Sequence, residues 1–159
     1  MTDDTFFIKI YSAGGVNCAV YAQFCPKRRF SRLRKVVLDL QSGLYAKAVR
    51  RILVQDLDGY QVDISKNPTE TVERCRILQP DVLLMEVTGY TPWMLSERLS
   101  IRDEVKRHVP SVKIVFLIDD KAEVALVEEI KKAKQEKLID AFLFTSVSES
   151  YLVAVMDSL

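Results

Sequence analysis

Several features that reveal function in other proteins are missing from this chain of 159 residues. It has no apolar run near the roughly 18 residues that a membrane helix requires, and the apolar stretch 6–10 is too short for a signal-peptide core. We therefore expect no membrane span and a cytoplasmic location. The three cysteines are an odd number without a C-x-x-C pair, which indicates reduced thiols and favours neither a disulfide framework nor a zinc site.

Histidine and glycine-rich phosphate loops are equally scarce. His108 is the only histidine, so sites with several histidine ligands are excluded, and we interpret His108 as a surface residue at a helix end. The segment SAGGVN (residues 12–17) is not followed by G-K-[ST]. This excludes a P-loop and favours a turn or a loop.

What the chain does contain is typical of one globular domain. Apolar residues make up 48% and charged residues 28% of it, which is ordinary for a protein with a well-buried core. The net charge of +1 conceals an asymmetry, because residues 1–35 carry +5 and residues 36–159 carry −4. A basic arm can attract nucleic-acid or lipid phosphates, although a merely solvated charged segment is the commoner case.

Short apolar segments alternate with segments of helical periodicity from residue 35 onward, which is typical of βαβ units. The helices are predicted to begin at the N-caps Ser42 and Asn67 and to cover residues 91–108, 121–137 and 148–159. The predicted strands cover residues 35–40, 60–64, 81–87, 112–118 and 141–145, and the nearly continuous apolar run of the third favours the central position. Right-handed crossovers then give an α/β fold with a doubly wound parallel sheet, whose ligands bind at the carboxyl ends of the strands.

The same periodicity predicts which side of each helix is buried. For the first helix the predicted stripe is Tyr45, Ala48, Val49, Ile52 and Leu53. For the last helix it is Tyr151, Leu152, Val155, Met156 and Leu159.

Three segments at matching separations resemble the receiver domain of bacterial two-component response regulators, over about residues 33–159. The segment PDVLLME (80–86) resembles the family's P-D-h-h-h-h-D strand, where h is apolar and the last aspartate accepts the phosphoryl group. Residues 44–53 resemble the first helix, and IDAFLF (139–144) resembles the approach to the family's lysine. The resemblance implies a flavodoxin-like (βα)5 fold. Residues 1–32 have no counterpart and are either an added hairpin or arm, or the product of a misassigned start.

The resemblance also implies where phosphoryl chemistry would occur, and most of its groups are lost. Glu86 stands at the phosphoacceptor position, either as an imitation of the activated state or as a solvated acid at a strand end. The acidic pair for Mg²⁺ falls on Leu40 and Gln41, the hydroxyl on Ile118 and the lysine on Thr145. Such chemistry needs an unhindered carboxylate, hard oxygen ligands and groups that neutralise phosphoryl oxygens. We therefore predict no enzyme activity, no metal site and no cofactor.

Two other functions stay open. A phosphorylatable receiver could use Glu86 or Asp39 with Mg²⁺ held by Asp119 or Asp120. Asp39 lies one residue before the acidic pair, so it substitutes only if the strand end is irregular, because a one-residue shift reverses side-chain direction. A flavodoxin-like cofactor domain is less favoured, because the loops after strands one and three lack the hydroxyl-rich cradle for flavin mononucleotide.

The predicted function is a non-catalytic, phosphorylation-independent signalling module that acts by protein association. We expect a protein partner or a homodimer to bind through the fourth and fifth units, on a face with Lys131, Lys132 and Tyr151 and with Met156 as a further apolar anchor. Tyr90 and Trp93 mark the next candidate surface. The chain fits a stand-alone receiver or the receiver part of a transcriptional response regulator, so DNA contact would need a separate output domain.

Overall fold

The computed structural model describes residues 33–56 and 59–159, which fall within one compact unit. The hypotheses about residues 1–32 lie outside this description. Five strands and five helices alternate: β1 (Arg34–Asp39), α1 (Gly43–Asp56), β2 (Tyr60–Ile64), α2 (Pro68–Leu78), β3 (Val82–Val87), α3 (Leu95–His108), β4 (Lys113–Ile118), α4 (Val124–Gln135), β5 (Ala141–Phe144) and α5 (Glu149–Ser158).

The strands form one parallel sheet in the order β2-β1-β3-β4-β5. This confirms the doubly wound, flavodoxin-like fold and the central position of β3. Alternate side chains of β1, β3, β4 and β5 enter two different cores, one under α1 and α5 and one under α2, α3 and α4, and β2 contributes to the first core only. In β1, Leu38 lies in the first core and Val37 in the second, as expected for strands that helices cover on both faces.

Three helix starts are capped by side chains, at the predicted N-caps Ser42 and Asn67 and also at Ser148. The backbone N–H of Tyr45 lies 3.3 Å from Ser42 Oγ, and that of Glu70 donates to Asn67 Oδ1 at 3.0 Å. Ser148 Oγ accepts from the N–H of Tyr151 at 3.2 Å. Each side chain satisfies a donor that the first helical turn would leave without a partner.

The start of α3 was predicted too early. The helix begins at Leu95, because a hydrogen-bonded turn precedes it. The N–H of Thr88 donates to the carbonyl of Trp93 at 2.8 Å, and the N–H of Trp93 donates to the carbonyl of Tyr90 at 3.1 Å. Similarly, α4 begins at Val124, after a turn closed by Asp119.

The buried stripes of α1 and α5 also differ from the prediction. In α1, Ala46 is buried and Ala48 is exposed. The helix face that meets the sheet consists of Ala46, Val49 and Leu53. In α5, Val153 is buried and Tyr151 is 56% exposed. Periodicity therefore located the helices but misplaced one residue of each buried stripe, by two positions in both cases.

Two further expectations can be compared with the described residues. His108 is the exposed last residue of α3, as predicted. Cys75 is free and buried, and burial raises the pKa of its thiol to about 12, with Asp39 and Asp63 adding to the rise. Among the described helices, none has both the length and the apolar character to cross a bilayer.

Candidate functional site

The carboxyl ends of β1, β3, β4 and β5 and the loops that follow them form what we call the carboxyl edge, where a doubly wound sheet binds its ligands. Glu86 lies there near the end of β3, and its Oε2 accepts from the backbone N–H of Gln41 at 2.7 Å. The hydroxyl of Tyr90 donates to Gln41 Oε1 at 2.8 Å. The loops after β1 and β3 are thus joined through Gln41.

The residues at the positions of the family's acidic pair, hydroxyl and lysine differ in exposure to solvent. Leu40 and Ile118 are buried core residues, 5% and 0% exposed. Thr145 directly follows β5, and its carbonyl accepts from the hydroxyl of Tyr45 at 3.3 Å. The sequence positions do converge, but Leu40 and Ile118 present no polar group to a ligand.

Asp119 and Asp120, the possible Mg²⁺ ligands of the phosphorylatable alternative, each accept a backbone hydrogen bond from a loop residue. Asp119 Oδ1 accepts from the N–H of Lys121 at 2.7 Å, and Asp120 Oδ1 accepts from the N–H of Ser146 at 3.2 Å. The pKa of Tyr45 is raised by burial and then by the negative charges of Glu86 and Asp120. Asp120 therefore adds negative potential to the edge that contains Glu86.

Asp39 ends β1 in regular register, opposite Met85, so the irregular strand end that its alternative role required is absent here. Its side chain is 1% exposed and points into the core of α2 and α3. Asp39 Oδ2 accepts from Arg98 Nη1 at 2.5 Å and from the Thr71 hydroxyl at 2.7 Å. Sequence reasoning missed this ion pair, because Arg98 is 59 residues away and lies in a polar helix.

Arg98 is 0% exposed and is the largest fully buried side chain of the described residues. Its guanidinium carbon lies 5.8 Å from the centroid of the Trp93 ring, within the range of a cation–π interaction. Burial lowers the pKa of Arg98, and the charge of Asp39 opposes that fall. Tyr90 is exposed and Trp93 is partly buried, so only Tyr90 presents most of its ring to a partner.

The residues of this edge do not fit the Mg²⁺ site that the resemblance implies. Magnesium requires hard oxygen ligands in near-octahedral geometry. Leu40 offers none, Gln41 uses its side-chain oxygen for Tyr90, and Asp39 is neutralised by Arg98. Within residues 33–56 and 59–159, no group of three His, Cys, Asp or Glu side chains is arranged to hold a metal ion.

The predicted interaction face surrounds the edge strand β5, with α4 on one side of the sheet and α5 on the other. Lys131, Lys132 and Tyr151 are all exposed there. Met156 is 0% exposed, which agrees with its place on the predicted buried stripe of α5 and excludes it as an apolar anchor of this face. Val124, at the start of α4, is an exposed apolar residue, 77% accessible, that the periodicity did not single out.

No protein-family model and no curated protein matches this sequence. Solved structures of the same fold do match. A response regulator from Thermotoga maritima is 19% identical, with 79% of this chain and 96% of that chain covered and a TM-score of 0.63. A response regulator receiver domain protein from Methanospirillum hungatei is 15% identical, with 79% and 92% covered and a TM-score of 0.63. The signal receiver domain of a modulated diguanylate cyclase from Desulfovibrio desulfuricans is 19% identical, with 79% and 92% covered and a TM-score of 0.59. At these identities the likeness shows the receiver fold.

Proposed function

We propose that this chain is a receiver-type signalling module that acts by binding protein and takes up no phosphoryl group. The observation that carries the proposal is the pairing of Asp39, which is buried and bound to Arg98. The receiver domains among the similar structures support the signalling class. Glu86 remains the one strand carboxylate within reach of solvent at this edge in the described part of the chain.

The surroundings of Glu86 disfavour phosphoryl transfer. Catalysis of this reaction depends on positive groups that stabilise the charge of the transferred phosphoryl oxygens. Ile118 and Thr145 are neutral, and Asp120 is negative. A phosphoryl group on Glu86 would therefore lack the neutralisation that the family's metal and lysine provide.

Incubation of the full chain with acetyl phosphate and Mg²⁺ is expected to leave its intact mass unchanged, because Arg98 is paired with Asp39 and the neutral residues Ile118 and Thr145 stand at the positions of the family's hydroxyl and lysine. Glu86→Gln, which cannot form the acyl phosphate, is the matched control. A gain of one phosphoryl group in the wild type that is absent from Glu86→Gln would overturn the proposal and establish the phosphorylatable receiver instead.

We place the protein-binding surface around β5. An edge strand exposes backbone groups that favour pairing with another chain. Tyr151 offers an aromatic anchor of the kind that dominates interface energies. Lys131 and Lys132 face Glu128 and Glu136 at 2.7 and 3.9 Å, and such exposed pairs add little stability. Their charges instead set orientation and association rate.

Reversing Lys131 and Lys132 to glutamate is expected to weaken self-association or partner binding, and Tyr151→Ala to weaken it about tenfold or more. The melting temperature should stay nearly constant because all three side chains are exposed. Sedimentation velocity measures self-association, and a pull-down with the wild-type chain as reference measures partner binding. Arg50→Glu with Arg51→Glu, on exposed positions of α1, makes the same charge change elsewhere. If both double variants associate as strongly as the wild type, the proposed face is wrong and the surface around Tyr90 becomes the next candidate.

A further inference from the structure

The charge of Asp39 requires a permanent neutralising partner. A carboxylate taken out of water is costly unless it is paired and hydrogen-bonded. Its only ionic partner within 4.0 Å among the described residues is Arg98, and the second contact to the same oxygen comes from the neutral hydroxyl of Thr71. The positive charge beside Asp39 therefore comes from α3.

The contacts of Arg98 show that charge, and not complete hydrogen bonding, determines its position. Only Nη1 reaches Asp39, whereas Nε and Nη2 are buried without a hydrogen-bond partner in the described part of the chain. An arginine selected for carboxylate geometry normally uses two parallel N–H groups. Here the second contact is the face of Trp93, which attracts any cation.

We infer that the guanidinium of Arg98 is a permanently bound cation at this edge. It neutralises Asp39 in place of a divalent ion and excludes divalent ions from that carboxylate. A cation that belongs to the chain cannot dissociate. The loop of Trp93 and the end of β1 are then held together at every metal concentration. The inference concerns the cation at Asp39 and is tested by cation binding alone, so its failure can be told apart from a failure of the proposed function.

Removing the guanidinium should leave a site for a small cation, bounded by Asp39, Thr71 and Trp93. The test compares the melting temperatures of the full-length wild type, Arg98→Ala and Arg98→Ala with Asp39→Asn. Each is measured in MgCl₂ and in guanidinium chloride at about 10 mM, against NaCl of equal ionic strength. Guanidinium at that concentration is far too dilute to denature a domain of this size.

Arg98→Ala is expected to gain about 3–6 °C from Mg²⁺ or guanidinium, as for a ligand present at several times its dissociation constant. The wild type and the double variant should change by less than about 1 °C. The inference fails if Arg98→Ala responds to neither ion, or if the wild type or the double variant gains as much.

Arg98→Ala could fail to fold, and a second double variant then decides. Asp39→Leu with Arg98→Met removes both charges and keeps apolar volume, a change that buried ion pairs often tolerate. If this variant folds where Arg98→Ala does not, the arginine is needed as a counter-charge. If neither folds, Arg98 is needed for its shape, and the inference is wrong.

Discussion

Arg98→Ala is expected to lower the free energy of unfolding by about 3–5 kcal/mol, because it leaves Asp39 buried and unpaired. Both side chains are essentially inaccessible, at 0% and 1% exposure, and water that enters the space left by the guanidinium does not supply the counter-charge that Asp39 loses. Denaturant unfolding measures the loss as a lower midpoint at unchanged slope. The effect should exceed that of almost any surface substitution in the chain.

Arg76→Ala is the matched control for this prediction. Arg76 also contacts a carboxylate, Glu73, at 2.7 Å, but both side chains are more than half exposed. Water and salt screen such a pair, so its loss should leave the free energy of unfolding nearly unchanged. Equal effects of the two substitutions would mean that the Asp39–Arg98 pair is solvated in solution, contrary to the structure.

Leu40→Asp is expected to cost about 4 kcal/mol or more, although it restores a residue type that the resemblance places there. Leu40 is 5% exposed and packs in the core under α1 and α5. The substitution removes about 2 kcal/mol of apolar burial and adds the larger cost of an unpaired buried charge. Thermal or denaturant unfolding would show the loss.

Gln41→Asp provides the comparison one residue later. Gln41 is exposed, so this substitution loses only the exposed hydrogen bond from Tyr90 and should cost about 1 kcal/mol or less. The two positions of the expected acidic pair are thus physically different, and the pair cannot be restored without damaging the core. A Leu40→Asp protein as stable as Gln41→Asp would show that Leu40 is not part of that core.

The order of strands and helices could be predicted because each local signal agreed with the global fold. The apolar run of β3 needed both faces covered, and Ser42 and Asn67 could each satisfy a free N–H of the following helix. The start of α3 was less predictable, since Thr91 and Pro92 are typical of a first turn. The hydrogen bonds of Trp93 with Thr88 and Tyr90 show that the chain turns first.

The residues of the candidate site that lie at strand ends could be predicted from the sequence. The contact of β1 with α3 could not, because it depends on packing between elements that are distant along the chain. The resemblance identified Glu86 and Thr145, and the strand pattern places them at the ends of β3 and β5. The burial of Arg98 could not be predicted, because nothing in the polar sequence of α3 shows that this one arginine meets β1. Whether Asp39 is a free ligand or a paired core residue is decided by that contact.

The central claim, that the carboxyl edge accepts no phosphoryl group, is tested most directly with beryllium fluoride, a phosphoryl analogue that binds carboxylates. Amide NMR spectra of the full-length protein are compared with and without Mg²⁺ and beryllium fluoride. We predict unchanged amide signals for Gln41, Val87 and Thr145. The N–H of Gln41 donates to Glu86, Val87 ends β3, and Thr145 directly follows β5. Saturable shifts of these amides that disappear in Glu86→Gln would contradict the account.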